Sequence, residues 1–299
     1  APRAARRGGR GWVAAVPLLC AAVAVADPSP PAPGARIDSI TGTVELQRLT
    51  TKNRPGERTL RVYLPPGYAK DDRRRFPVLY LQDGQNVFSG LTSFLPNQEW
   101  KADEAAESLI EAGLIEPLLI VAIDNAAEKR ADEYLPFKVK DPDGSEAGGE
   151  ADAYARMVID EVKPFIDRTY RTKRDARNTG LGGASYGAIV SLYMGLRYPT
   201  VFGKLALVSP SLWWDDGVML KQVEALPGKR DQRYWIDLGT SEGDTMRPAD
   251  ARALGKLLEK KGWKPGKDLA VYIDGFAIHR EDAWARRFPL ILMFLFGRS

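Results

Sequence analysis

A chain of 299 residues with 44% hydrophobic and 27% charged side chains can bury a sizeable core, and it lies outside the compositions of disordered, collagenous or disulfide-framed proteins. Its formal charge of +4 comes from Arg3, Arg6, Arg7 and Arg10. Beyond residue 26 the 39 basic side chains equal the 39 acidic ones, which removes net charge as an argument for nucleic-acid or anionic-surface partners.

The four arginines precede an apolar run from Trp12 to Val25 that closes on Ala24-Val25-Ala26, the pattern of a secretory signal peptide over residues 1–26. The run is shorter than the roughly 20 apolar residues a membrane span requires. Cleavage after Ala26, a periplasmic or secreted destination and no stable membrane anchor are therefore expected. The single cysteine, Cys20, falls in the same segment, so the mature protein is expected to lack disulfides, a thiol nucleophile and cysteine metal ligands. Residues 27–39 are a proline-rich linker by composition, and one folded domain is expected over 40–299.

Thr41 to Arg48 and Thr59 to Leu64 alternate apolar and polar residues around an Asn53-Arg-Pro-Gly56 turn, which predicts a β-hairpin. Phe76 to Gln82 is a third strand, ended by Asp83-Gly-Gln-Asn86. Trp100, Ala105, Leu109 and Ile110 predict a helix over 97–113, and the uniformly apolar Pro117 to Ile123 reads as a buried parallel strand. The polar stretch 124–150, with Asp141-Pro-Asp-Gly-Ser145 and Gly148-Gly149, reads as a long functional loop. Ala151 to Tyr170 has helical spacing, and Arg177 to Ala184 is extended. Ile189 to Tyr198, Trp214 to Leu226, Pro248 to Lys261 and Asp282 to Phe296 are helices. They alternate with strands at Lys204 to Ser209, Tyr234 to Leu238 and Leu269 to Ile273. Such alternation predicts an α/β fold, a mostly parallel sheet of about eight strands with helices on both faces.

Two Gly-x-Ser-x-Gly pentapeptides occur, Gly183-Ala-Ser185-Tyr-Gly187 and Gly239-Thr-Ser241-Glu-Gly243. The first sits where an extended run turns into a helix. A serine on so sharp a turn is held strained and exposed, as a nucleophile must be. Serine needs a base to take its proton, and the chain holds one histidine, His279, just after the last strand. In α/β-hydrolases the order is Ser, then an acid, then His, each at the carboxyl end of a strand. The second pentapeptide follows the Tyr234 to Leu238 strand and supplies that acid, Glu242, with Asp244 as second choice. An oxyanion hole is then expected from the N–H groups of Tyr186, after the nucleophile, and Gln85, after the third strand, with Gly84 letting the chain turn toward the site. No H-E-x-x-H, P-loop, G-x-G-x-x-G or calcium-loop spacing appears, so neither a metal nor a cofactor is expected.

Tyr80-Leu-Gln-Asp-Gly-Gln-Asn86, Ala122-Ile-Asp-Asn125 with Glu133-Tyr134, and Ser209-Pro-Ser-Leu-Trp-Trp214 join the two pentapeptides, His279 and Trp284 in a combined pattern over residues 40–298. With these the chain resembles the putative esterase family of α/β-hydrolases. That family includes siderophore, feruloyl and acetylxylan esterases, S-formylglutathione hydrolases and mycolyltransferases. The Ser-Pro-Ser-Leu-Trp-Trp segment is most similar to its enterochelin-esterase-like branch. Gln82 departs from the histidine many relatives carry. The resemblance implies an exported serine carboxylic-ester hydrolase working through an acyl-enzyme on a small-molecule or glycan-linked ester, a siderophore trilactone among them. It implies substrate contacts for Trp214 and Arg130, with Asp83 beside them. An acyltransferase using the same triad, or a ligand-binding protein retaining the fold, are the alternatives.

Overall fold

The computed structural model describes residues 38–140 and 146–298. The expected signal peptide, residues 27–37 of the expected linker and the 141–145 part of the polar stretch lie outside the described residues.

The predicted hairpin is formed by β1 (Thr43–Thr51) and β2 (Gly56–Leu64), paired antiparallel along their lengths. β3 (Val78–Gln82) and β4 (Leu119–Ile123) are buried at every residue, and α1 (Ala102–Glu111) joins them. This helix starts later than its apolar spacing suggests, because Asn97 and Lys101 take left-handed φ values of 60° and 51°. The stretch expected to be loop contains α2 (Arg130–Tyr134) and a small hairpin of β5 (Lys138–Lys140) and β6 (Glu146–Gly148). Strands of three residues, rich in Lys and Glu, leave no alternation to detect.

Ala151 to Tyr170 folds as α3 (Ala151–Arg156), a π-helical stretch Met157–Val162, and α4 (Lys163–Thr169), the wider turns ending where Pro164 brings no N–H. Strand and helix then alternate as predicted: β7 (Thr179–Ser185), α5 (Tyr186–Arg197), β8 (Lys204–Pro210), α6 (Trp214–Glu224), β9 (Arg233–Gly239), α7 (Pro248–Lys261), β10 (Leu269–Asp274) and α8 (Glu281–Phe296). Left-handed residues Asp215, Asp216 and Gly217 interrupt α6 near its start.

The sheet order is β1-β2-β4-β3-β7-β8-β9-β10. β2 runs antiparallel to β1 and β4, and every other pairing is parallel. Alternate strand residues face opposite sides. Val78 and Tyr80 join a core with α3, α4, α5 and α7, while Leu79 and Leu81 join another with α1 and α8. Helices therefore cover both faces of an eight-stranded, mostly parallel sheet, the expected α/β-hydrolase architecture. The loops leaving the carboxyl ends of β3, β7, β8, β9 and β10 carry the candidate site.

Candidate active site

β7 turns into α5 at Ser185, whose φ of 58° and ψ of −122° belong to neither strand nor helix. Strain of this kind persists only where the surroundings enforce it. The glycines of the pentapeptide make the turn possible by close approach. A Cβ on Gly183 would stand 2.8 Å from the Gly187 carbonyl carbon and 2.9 Å from Gln82 Cβ, and one on Gly187 would stand 3.1 Å from Gln82 Cβ. Gln82 thus forms the floor beneath the elbow. It is fully buried and accepts a hydrogen bond from the Tyr154 hydroxyl.

The second pentapeptide makes a different shape. Gly239 ends β9, Ser241 is exposed, and the next helix begins only at Pro248. Glu242 turns inward and its Oε2 lies 2.8 Å from His279 Nδ1 in the loop after β10. Its other oxygen, Oε1, accepts from the Gly239 N–H at 2.6 Å and from Ser209 Oγ at 2.6 Å. Burial opposes ionisation of Glu242, but the hydrogen bonds from His279, Ser209 and Gly239 outweigh it and hold the carboxyl below its ordinary value. Asp244 remains exposed. The His279 and Trp284 rings stand perpendicular, at 89° with centroids 5.1 Å apart, which restrains the plane of the imidazole.

Ser185 and His279 line one cavity of about 1020 Å³. The Ser185 hydroxyl sits 3.2 Å from Ser211 Oγ and makes no hydrogen bond with the imidazole in this resting arrangement. Gln85 and Asp83 line the same cavity, and Tyr186 opens α5, so the segments expected to supply the oxyanion hole converge beside Ser185. The left-handed residue there is Asp83, with φ 57°. Gly84 serves closeness instead, since a Cβ would lie 2.6 Å from the Ala122 carbonyl carbon of β4.

Arg130 and Asp83 form a two-point ion pair, Nε to Oδ1 at 2.7 Å and Nη2 to Oδ2 at 2.8 Å, and Asn125 Nδ2 donates to Asp83 Oδ1 at 2.6 Å. Both charged residues reach the cavity, but they are spent largely on each other. Trp214 is not brought to the site. It is 5% exposed, belongs to the core under α5 and α7, and stacks on Phe137. The left-handed run that follows it turns this tryptophan inward and leaves Trp213 at the surface, 37% exposed.

Sequence reasoning missed Ser209, Ser211, Glu281 and Arg287. Glu281 lines the cavity and accepts from Asn86 Nδ2 at 3.1 Å. Burial, with the nearby charge of Asp83, raises its carboxyl above the ordinary value. The signal for Arg287 was a lone cation on the apolar stripe of α8.

Compared with known proteins, residues 51–295 match the family model described as Putative esterase. The chain belongs to the putative esterase family. It is a carboxylic ester hydrolase. Among curated relatives, the Bacillus subtilis (strain 168) protein YbbA is 26% identical over 258 residues, covering 83% of this chain and 96% of that one. The ferri-bacillibactin esterase BesA of the same organism is 26% identical over 216 residues, 68% of this chain and 71% of BesA. Among solved structures, the BES protein from Bacillus cereus matches with a TM-score of 0.69 at 18% identity, covering 88% of this chain and 99% of that one, a likeness of fold.

Proposed function

We propose that this esterase is a serine enzyme with Ser185 as nucleophile, His279 as general base and acid, and Glu242 as the orienting carboxylate. The observation that carries the reading is the contact between a buried Glu242 and a half-buried His279 that opens on the same cavity as a strained Ser185. The hydroxyl proton passes to the free ring nitrogen of His279 as Oγ bonds to the ester carbonyl carbon. The resulting oxyanion is held by the N–H groups of Tyr186 and Gln85. Collapse breaks the ester C–O bond and His279 returns the proton to the leaving alcohol. Water then repeats the sequence on the acyl-enzyme. The hydroxyl–imidazole contact forms when substrate displaces the resting Ser185–Ser211 arrangement, since catalytic hydrogen bonds commonly tighten only in the complex.

A siderophore trilactone or related ester is the proposed substrate, supported by the similarity to BesA and by a cavity large enough for more than a short acyl chain. Export, by a signal peptide within residues 1–26, is proposed from the arginine-then-apolar pattern alone. Ser185→Ala and His279→Ala are each expected to abolish hydrolysis of a short p-nitrophenyl ester, and Ser185→Ala to abolish labelling by a fluorophosphonate. Full activity in either variant would sink the mechanism. A hydrolysis screen of catecholate trilactones, feruloyl sugars and acetylated xylan tests the substrate, and turnover confined to the last two would exclude the trilactone.

A further inference from the structure

The Ser209-Pro-Ser-Leu-Trp-Trp214 segment marks the family resemblance, yet nothing in the proton-transfer line so far requires its first serine. The end of β8 is irregular there. Ala184 pairs with Val208 and Ser185 with Pro210, which leaves Ser209 as an extra residue on β8 directly beside the nucleophile. A bulge of this kind re-aims a side chain. Ser209 takes a φ of 42° and is completely buried.

Its hydroxyl has three neighbours. Trp284 Nε1 and Arg287 Nη2 donate to Ser209 Oγ at 3.0 and 2.8 Å, and Ser209 Oγ donates to Glu242 Oε1 at 2.6 Å. A serine hydroxyl has one proton and two lone pairs, while indole and guanidinium N–H groups can only donate. With both lone pairs occupied, the proton can point only to Glu242. Arg287, 1% exposed, also stands 3.0 Å from Asp237 Oδ1 and 3.4 Å from Glu242 Oε1 and Asp274 Oδ2, so one cation is shared among three carboxylates. Glu242 Oε1 is thus fixed from one side, and Oε2 is left to face His279.

We infer that Ser209 is a positioning residue, its hydroxyl forced by Trp284 and Arg287 to donate to Glu242 and so to aim that carboxylate at His279 Nδ1. This rests on the Ser185–His279–Glu242 reading. The bulge, not the hydroxyl alone, makes it possible, because a regular strand residue would leave the line between Trp284 and Glu242.

Ser209→Gly separates the hydroxyl from the backbone shape, since glycine accepts a positive φ without strain. If Ser209 merely fills a turn, glycine serves equally well. If it positions Glu242, Ser209→Gly loses roughly tenfold or more in kcat, as expected for a lost hydrogen bond to a charged group, with KM changed less than about twofold. His279 is the only histidine, so in tag-free protein its Nδ1 proton resonance reports the Glu242 contact without ambiguity. That resonance is expected to move upfield or disappear through exchange. An unchanged resonance overturns the inference, whatever the rate. Ser209→Ala, which keeps the Cβ, gives the same readings should the glycine variant not fold. Ser185→Ala is the control: its activity would sink the triad itself, whereas an inactive Ser185→Ala beside a wild-type-like Ser209→Gly sinks only the role of Ser209.

Discussion

Glu242 Oε2 lies 2.8 Å from His279 Nδ1, with the glutamate side chain wholly removed from solvent and the imidazole 28% exposed. The carboxylate is held from behind and the imidazole is left open to the cavity. Glu242→Gln keeps the shape but can present an amide N–H to the ring, favouring the tautomer that cannot take the Ser185 proton. The expected loss in kcat is between about a hundredfold and ten-thousandfold. Asp244→Asn, at an exposed position, is expected to match the wild type. Steady-state kinetics on one ester decides both, and the reverse ranking would move the acid to Asp244.

The elbow should be intolerant of a single methyl group. Gly183→Ala places a Cβ within 2.9 Å of atoms in Gly187 and Gln82, and overpacking of this kind costs about 1–3 kcal/mol. Urea unfolding should show that loss together with a fall in activity. Conversely, Ser185→Gly is expected to be more stable than Ser185→Ala by about 1 kcal/mol, because glycine relieves the positive φ. Equal stabilities would mean that the turn is not strained.

Arg130 ties the segment after β4 to the segment carrying Gln85 through its two-point contact with Asp83. Lysine offers one point where arginine offers two. Arg130→Lys is therefore expected to lower kcat/KM by about tenfold, through a less fixed loop after β3, the proposed source of an oxyanion donor, as well as an altered cavity. An unchanged kcat/KM would show that the loop holds itself.

Stability should decline as pH rises from about 4 toward 8. Asp103 is buried against Glu104, and burial first, then that neighbour, pushes its carboxyl up to about 8. Burial likewise raises Asp237 to about 6, partly opposed by Arg287. An unfolded aspartate ionises near pH 4, so over these windows unfolding releases protons and rising pH favours the unfolded chain. Glu242 acts in the opposite sense, its depressed carboxyl contributing stability that is lost only as pH falls below the ordinary glutamate range. Asp103→Asn retains an acceptor for the Thr41 N–H and should raise the melting temperature at pH 8 more than at pH 5. A flat wild-type profile between pH 4 and 8 would contradict the assignment.

The sheet and most of its helices were legible because apolar runs and helical periodicity act locally. The turn at Ser185 and the Glu242–His279 contact were legible because each of these residues follows such a run, and their order restricts the topology. Ser209 was hidden by its bulge, since its side chain faces Glu242 only after the β7–β8 register slips. Trp213 and Trp214 are adjacent and chemically identical, and the choice between surface and core rests on three left-handed residues after them, two of which are aspartates. The β5–β6 hairpin is too short to carry a pattern.

The parts proposed to move protons hang from neighbouring strands, β7, β8 and β9, and from the β10 loop, all locked into one sheet. Much of the cavity wall comes instead from the segments after β3 and β4, including Phe94, Asn125 and Arg130. The groups proposed to transfer protons and most of the cavity wall thus lie on different stretches of chain, with Gln85 the exception, and an altered wall away from it need not disturb them. Asp83 is where the two meet. A change of substrate that reaches this residue would have to be accompanied by a compensating change in the machinery itself.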